Sequence, residues 1–237
     1  MTSKVLAVIP ARGGSQSIPY KNIVQFNGRP LIEYVVKSAQ ASSLISKVIC
    51  STDDKKIADI VSDLGVETYQ RPDNLSTSES PIIDTLIHIA KTYPESFDYF
   101  VLLQPTSPFI TPADIDKCII ALEADKNADS SQTISPIEHN HHAYNQRIIK
   151  DDYVDFRFKA ERRECYNKQT KPKHYVFGNL VVSKYITLVE KQDVFGDCSI
   201  PLEIDSVYAF DLDTYDDVNY GEYLIQTGVV SLPWLDQ

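Results

Sequence analysis

Short apolar runs alternate along the chain with longer segments of helical spacing. "KVLAVIP" (4–10), "KVICST" (47–52), "VETYQ" (66–70) and "YFVLLQP" (99–105) read as strands. The first is apolar without alternation, which marks a strand buried on both faces. Between them, "PLIEYVVKSAQAS" (30–42) puts Leu31, Tyr34, Val35 and Ala39 on one side of a helix. "DKKIADIVSDLG" (54–65) predicts a helix closed by Gly65, and "PIIDTLIHIAKTY" (81–93) one with Pro81 near its start. Thr111 is expected to cap the helix "PADIDKCIIALEAD", with Pro112 at its first position. Strands alternating with helices in this way predict an α/β domain with a mostly parallel sheet covered on both faces. Ligands of such sheets bind beyond the carboxyl ends of the strands.

The pattern breaks after "SQTISPI", and residues 138–175 read as an insertion within a single domain spanning 1–237. Residues 138–174 hold nine Lys/Arg against six Asp/Glu, a local +3 in a chain of net −10. Four of the five histidines (His139, His141, His142 and His174) fall there too. Two readings stand: a mobile surface excursion, or a cationic wall facing an anionic ligand. The "EHNHH" cluster lacks a recognised metal-ligand spacing and reads as a loop or acceptor wall before a zinc site. Strand character returns at "GNLVVS" (178–183). The tail "YAFDLDTYDDVNYGEYLIQTG" (208–228) predicts a strand, a turn and a closing helix, with a Thr214–Asp217 capping box and Gly228 at its end.

Composition narrows the partners. A net charge of −10 over 237 residues argues against nucleic acid as the main partner. Cys50, Cys118, Cys165 and Cys198 are scattered, with no C-x-x-C pair, which suits a reducing compartment. No apolar stretch approaches the ~20 residues of a membrane span. A cytoplasmic protein without a membrane partner is expected.

The loop "IPARGGSQSIPYKNI" (9–23) carries the first candidate chemistry. It fits neither a Walker A loop nor the G-x-G-x-x-G fingerprint. It fits a less regular design, in which small residues bring backbone N–H groups close to phosphate oxygens while Arg12 and Lys21 supply charge. A flexible loop with stray charges is the alternative. Asp211 and Asp213, at i and i+2 of an expected strand, would share a face and could hold Mg²⁺, or could simply solvate a strand end. Arg71-Pro72 also reads as a plain turn, and Gln104 as a polar strand end.

"IPARGGSQSIPYKNI", "STDDKKIADIVSDLGVE", "RPDNL", "LLQPTSPF" and "FDLDTYDD" stand in the order and spacing of the cytidylyltransferases that activate acidic sugars. Over most of 4–137 and 203–226 the chain resembles the acylneuraminate cytidylyltransferase (CMP-sialic acid synthetase) branch. The resemblance implies a three-layer, Rossmann-like nucleotidyltransferase fold and a homodimer built through the insertion. It implies a reaction in which CTP and a nonulosonic acid, such as an N-acylneuraminate or legionaminate, give a CMP-sugar and pyrophosphate. Carried over by position, Ala11, Arg12, Gly13, Ser15, Lys21 and Asn22 would contact the nucleotide and its triphosphate. Arg71 and Ser80 would add nucleotide contacts, Gln104 would sit between base and acceptor, and Asp211 and Asp213 would bind magnesium. Arg12, Lys21, Asp211 and Asp213 would then carry catalysis. Arg162 and Arg163, just before the "GNLVV" strand, read as acceptor-binding, because a guanidinium meets a carboxylate with two parallel hydrogen bonds, or else as charges that only solvate a dimer rim. Two departures bear on this: Gln16 where the family has lysine, and "FGNLVV" (177–182) where it has "NGA-x-Y". They leave open a different acidic acceptor, such as a KDO-like sugar or a phosphonate, and a catalytically silent nucleotide- or sugar-binding homologue.

Overall fold

Strand β1 (Val5–Pro10) sends alternate side chains to two separate cores. Val5, Ala7 and Ile9 join one cluster, and Leu6 and Val8 the other. The computed structural model, which describes residues 3–15 and 17–235, places β1 near the middle of a seven-stranded sheet. Its order is β11 (Ser199–Glu203), β7 (Ser130–Pro136), β10 (Tyr175–Lys184), β6 (Tyr99–Leu102), β1, β4 (Lys47–Thr52), β5 (Glu67–Gln70). All neighbours pair in parallel except β10, which runs antiparallel to both β6 and β7. The fold is mixed α/β with a mostly parallel central sheet.

On one face, α1 (Leu31–Ala41), α2 (Lys55–Asp63) and α4 (Pro112–Ala124) bury Ile32, Val36, Ile57, Val61, Ile115 and Ile119. On the other, α3 (Ile82–Thr92) and α6 (Tyr185–Glu190) bury Leu86, Ile89 and Leu188. A third cluster lies beyond the end of the sheet, where α7 (Tyr215–Gln226) packs Val218 and Leu224 with Phe26, Tyr34, Phe109, Leu212 and Trp234. The short hairpin β2 (Gln25–Phe26) and β3 (Arg29–Pro30) delivers Phe26 to it. Asp54 caps α2, Thr111 caps α4, and Thr214 with Asp217 closes a reciprocal box on α7.

Three boundaries differ from the sequence reading. The expected strand at 208–213 is irregular chain outside the sheet, entered through hydrogen-bonded turns at 205–209 and tied to its neighbours by single hydrogen bonds. The seventh strand is instead β11, an edge strand that tolerates Pro201 because one side of its ladder is unpaired. The strand expected to reach 105 stops at Leu102, which leaves Gln104–Thr106 free to form a turn. Between β7 and β10 the chain forms a hairpin, β8 (Arg147–Lys150) with β9 (Tyr153–Phe156), and a short α5 (Lys159–Glu164). Among the described residues, no helix is long and apolar enough to cross a membrane.

Candidate active site

Beyond β1 the chain turns across the carboxyl edge of the sheet. Ala11 is wholly buried and extends the pairing with β4 by donating its N–H to the Ser51 carbonyl at 2.9 Å. The Gly13 N–H donates to the Asp53 carboxylate at 3.0 Å. A Cβ on Gly13 would come within 2.8 Å of the Asp54 side chain, so glycine lets this loop lie against the start of α2. The Asn22 side-chain amide donates to the Arg12 carbonyl at 2.9 Å and draws the two ends of the loop together.

A cleft of about 540 Å³ opens beneath the loop. Its lining combines the cations Arg12, Lys21 and Arg71, the polar side chains of Ser15, Asn22, Ser80 and Gln104, and the carboxylates of Asp211 and Asp213. Arg71 is only 4% exposed. Its Nη2 donates to the Ser51 carbonyl at 3.2 Å and its Nε to the Ser51 hydroxyl at 3.4 Å. No carboxylate of the described residues lies within ion-pair distance of it. Burial, with the like charge of Arg12 adding to it, holds the Arg71 pKa below the usual arginine range. The charge of Asp53 works against this without reaching ion-pair distance, and a buried cation lacking an ion-pair partner, beside a second cation, is in an environment that favours an anion.

Part of the lining is acidic. Asp211 and Asp213 flank buried Leu212, whose N–H donates to the Thr106 carbonyl at 2.8 Å, and both aspartates reach the cleft without a sheet ladder. Lys21 Nζ pairs with Asp213 Oδ1 at 2.7 Å. Asp211 is exposed as a whole residue, yet the protein packed around its carboxyl desolvates it enough to hold the pKa above the usual aspartate range, and the charge of Asp213 adds to this. Two carboxylates sharing a cleft with a group of cations fit a divalent cation that takes one or two carboxylates and completes its shell from a phosphate.

A family model described as cytidylyltransferase matches residues 6–188. The chain belongs to the cytidylyltransferase family. Among curated members it is 26% identical over 215 residues to an N-acylneuraminate cytidylyltransferase of Escherichia coli, covering 90% of this chain and 50% of that one. It is 29% identical over 225 residues to a CMP-N,N'-diacetyllegionaminic acid synthase of Legionella pneumophila, covering 89% and 91%. The chain thus spans about half the length of the first relative and nearly all of the second. In fold it resembles a CMP:2-keto-3-deoxy-manno-octonic acid synthetase solved with CTP, at a TM-score of 0.73 and 17% identity, over 95% of this chain and 100% of that one.

Not every residue singled out in this cytidylyltransferase reaches the cleft. Ala11 and Gly13 shape the loop from behind, while Gly14, Ser17, Ser78 and Thr106, not singled out from the sequence, line it. Each lies within two residues of one that was. Gln16 lies outside the described residues. Arg162 and Arg163 sit on α5, away from the cleft wall. Arg162 is engaged within the insertion, donating to Asn145 Oδ1 at 2.6 Å with its guanidinium 4.2 Å from the Phe156 ring centre. His142 is likewise committed: Nδ1 accepts from the Tyr144 N–H at 3.1 Å, Nε2 lies 3.0 Å from the Pro172 carbonyl, and the ring stacks on His174. Among the described residues, no group of three or more metal-capable side chains is assembled.

Proposed function

We propose that this chain transfers the cytidylyl group of CTP to a carboxylated sugar of the nonulosonic acid class. The observation that carries the reading is the gathering in one cleft of Arg12, Lys21 and buried Arg71, the last with no ion-pair partner among the described residues, with the Asp211–Asp213 pair. A sugar hydroxyl attacks the α-phosphorus, the bond to the β-phosphate breaks, pyrophosphate leaves and the hydroxyl proton passes to water. Such a reaction needs alignment and charge neutralisation more than covalent help. Arg12 and Lys21 would neutralise the leaving phosphates, and Arg71 would anchor the nucleotide. Asp211 and Asp213 would hold Mg²⁺, which shields the charge on the phosphates. Lys21 would exchange Asp213 for a phosphate when the nucleotide enters. The base and the acceptor class are read from the relatives named above.

The same reading includes a homodimer joined through the insertion. In the β8–β9 register Ile149 and Val154 stand directly opposite each other, 81% and 71% exposed. An isolated two-stranded hairpin with an uncovered apolar face is marginal, and a second copy would cover it. Pyrophosphate release, assayed with each of the four nucleoside triphosphates against a panel of sugar acids, tests the proposal. CTP with a nonulosonic acid should give the fastest release. Preference for another nucleotide, or silence with every acid, overturns it.

A further inference from the structure

The segment bearing Asp211 and Asp213 lies outside the sheet, so its position depends on a few tethers. One is the Leu212 N–H to the Thr106 carbonyl. Another, the side-chain tether from the sheet, comes from Asn179, which is 1% exposed on β10 and whose Nδ2 donates to the Tyr208 carbonyl at 2.8 Å. Asn179 sits in the bulge where the β10–β7 register shifts between Phe177 and Val181. Its amide is itself oriented. The Thr133 hydroxyl donates to Asn179 Oδ1 at 2.9 Å, with the Leu180 carbonyl a weaker acceptor at 3.3 Å. The same oxygen accepts the N–H groups of Asn179 and Leu180 at 2.8 and 3.0 Å. One donor and two acceptor sites exhaust a hydroxyl. Gly178 provides the room, since a Cβ there would fall 2.6 Å from that oxygen.

We propose that Asn179 is a positioning residue for the Asp211–Asp213 pair. The relay Thr133–Asn179–Tyr208 fastens the acidic segment to the sheet. The chemistry of the side chain is apt: a primary amide offers a donor and an acceptor in one plane, so a single short side chain is held by β7 and holds the loop in turn. An alanine would leave the Tyr208 carbonyl without this donor and remove the loop's side-chain tether to the sheet, leaving the Leu212 N–H, the stacking of Phe210 on Phe109 and the Lys21–Asp213 ion pair to hold it. The proposal rests on the reading that these carboxylates serve cytidylyl transfer, but the tether itself does not.

Hydrogen–deuterium exchange on the intact chain separates the two. In Asn179→Ala, amides of residues 205–213 should exchange faster while β1 and β4 stay protected, and the Mg²⁺ concentration for half-maximal turnover should rise by roughly tenfold, as for groups that orient metal ligands. CTP affinity without metal should stay nearly unchanged. A folded variant with native exchange at 205–213, or with faster exchange and a native Mg²⁺ requirement, overturns the proposal. Should Asn179→Ala fail to fold, Asn179→Asp decides: nearly the same shape, it keeps an acceptor for Thr133 and turns an oxygen toward Tyr208, and must show the same two effects. If the native chain turns over no substrate, the cytidylyltransferase reading fails, while the exchange at 205–213 still judges the tether.

Discussion

Arg71 and Asp211 each sit where their ionised form is disfavoured, and both line the same cleft. Such groups are retained for what they bind, and their replacement separates stability from function. The Ser51 carbonyl, one of the two acceptors of Arg71, also takes the Ala11 N–H, so truncating Arg71 does not strand it. Arg71→Met should leave unfolding in denaturant within about 1 kcal/mol of native while titration calorimetry shows a clear loss of CTP affinity. Native affinity would place the nucleotide elsewhere. Asp211 gives a prediction with a pH signature. Its folded pKa is raised, so its contribution to stability is greatest in acid, below the unfolded aspartate value, and is lost as pH rises through the raised one. Asp211→Asn should therefore raise the melting temperature at neutral pH, with the gain vanishing in acid, and lower kcat by roughly 10²-fold. A variant equally shifted at both pH values would show that burial of this carboxyl is not what matters.

At the scale of elements, the bulge in β10 leaves no room for a side chain at Gly178. Gly178→Ala would press a methyl group onto the Thr133 hydroxyl and Ile204 Cδ1, neither free to retreat, and should cost about 1–3 kcal/mol in chemical denaturation. A native midpoint would mean that the bulge relaxes easily. The sequence revealed the elements whose apolar period is long or continuous, β1, α1, α2 and α4, together with Gly65 at the end of α2 and the Thr111 cap of α4. It hid β11, because its alternation is carried by Ile200 and Leu202 alone, too short to stand out, with a proline between them. It suggested a strand at 208–213, because Phe210, Leu212 and the flanking aspartates alternate as a strand does, although the burial there is supplied by α7 and Phe109. The cleft was legible in the same uneven way. Residues whose charge announces chemistry, such as Arg12, Lys21 and Asp213, could be picked out. Asn179 could not, because its role arises from a bulge between strands far apart in sequence.

For the whole molecule, charge and apolar surface are distributed unequally. The insertion carries +3 in a chain of −10, and its hairpin holds the two most exposed aliphatic residues, Ile149 at 81% and Val154 at 71%. In size-exclusion chromatography with light scattering the native chain should run as a dimer and the double variant Ile149→Glu, Val154→Glu as a monomer. A dimeric variant would move the interface off this hairpin. The one reversed strand has a further consequence. Because β10 runs antiparallel beside β7, everything from 137 to 174 is topologically the tip of one long hairpin and is not a crossover that the sheet needs to close. The entropy of closing such a tip grows only with the logarithm of its length, about 0.6 kcal/mol per doubling. The arm can lengthen, shorten or be exchanged at little cost to the sheet, so within this architecture the surface carried on the arm is free to diverge while the nucleotide cleft stays as it is.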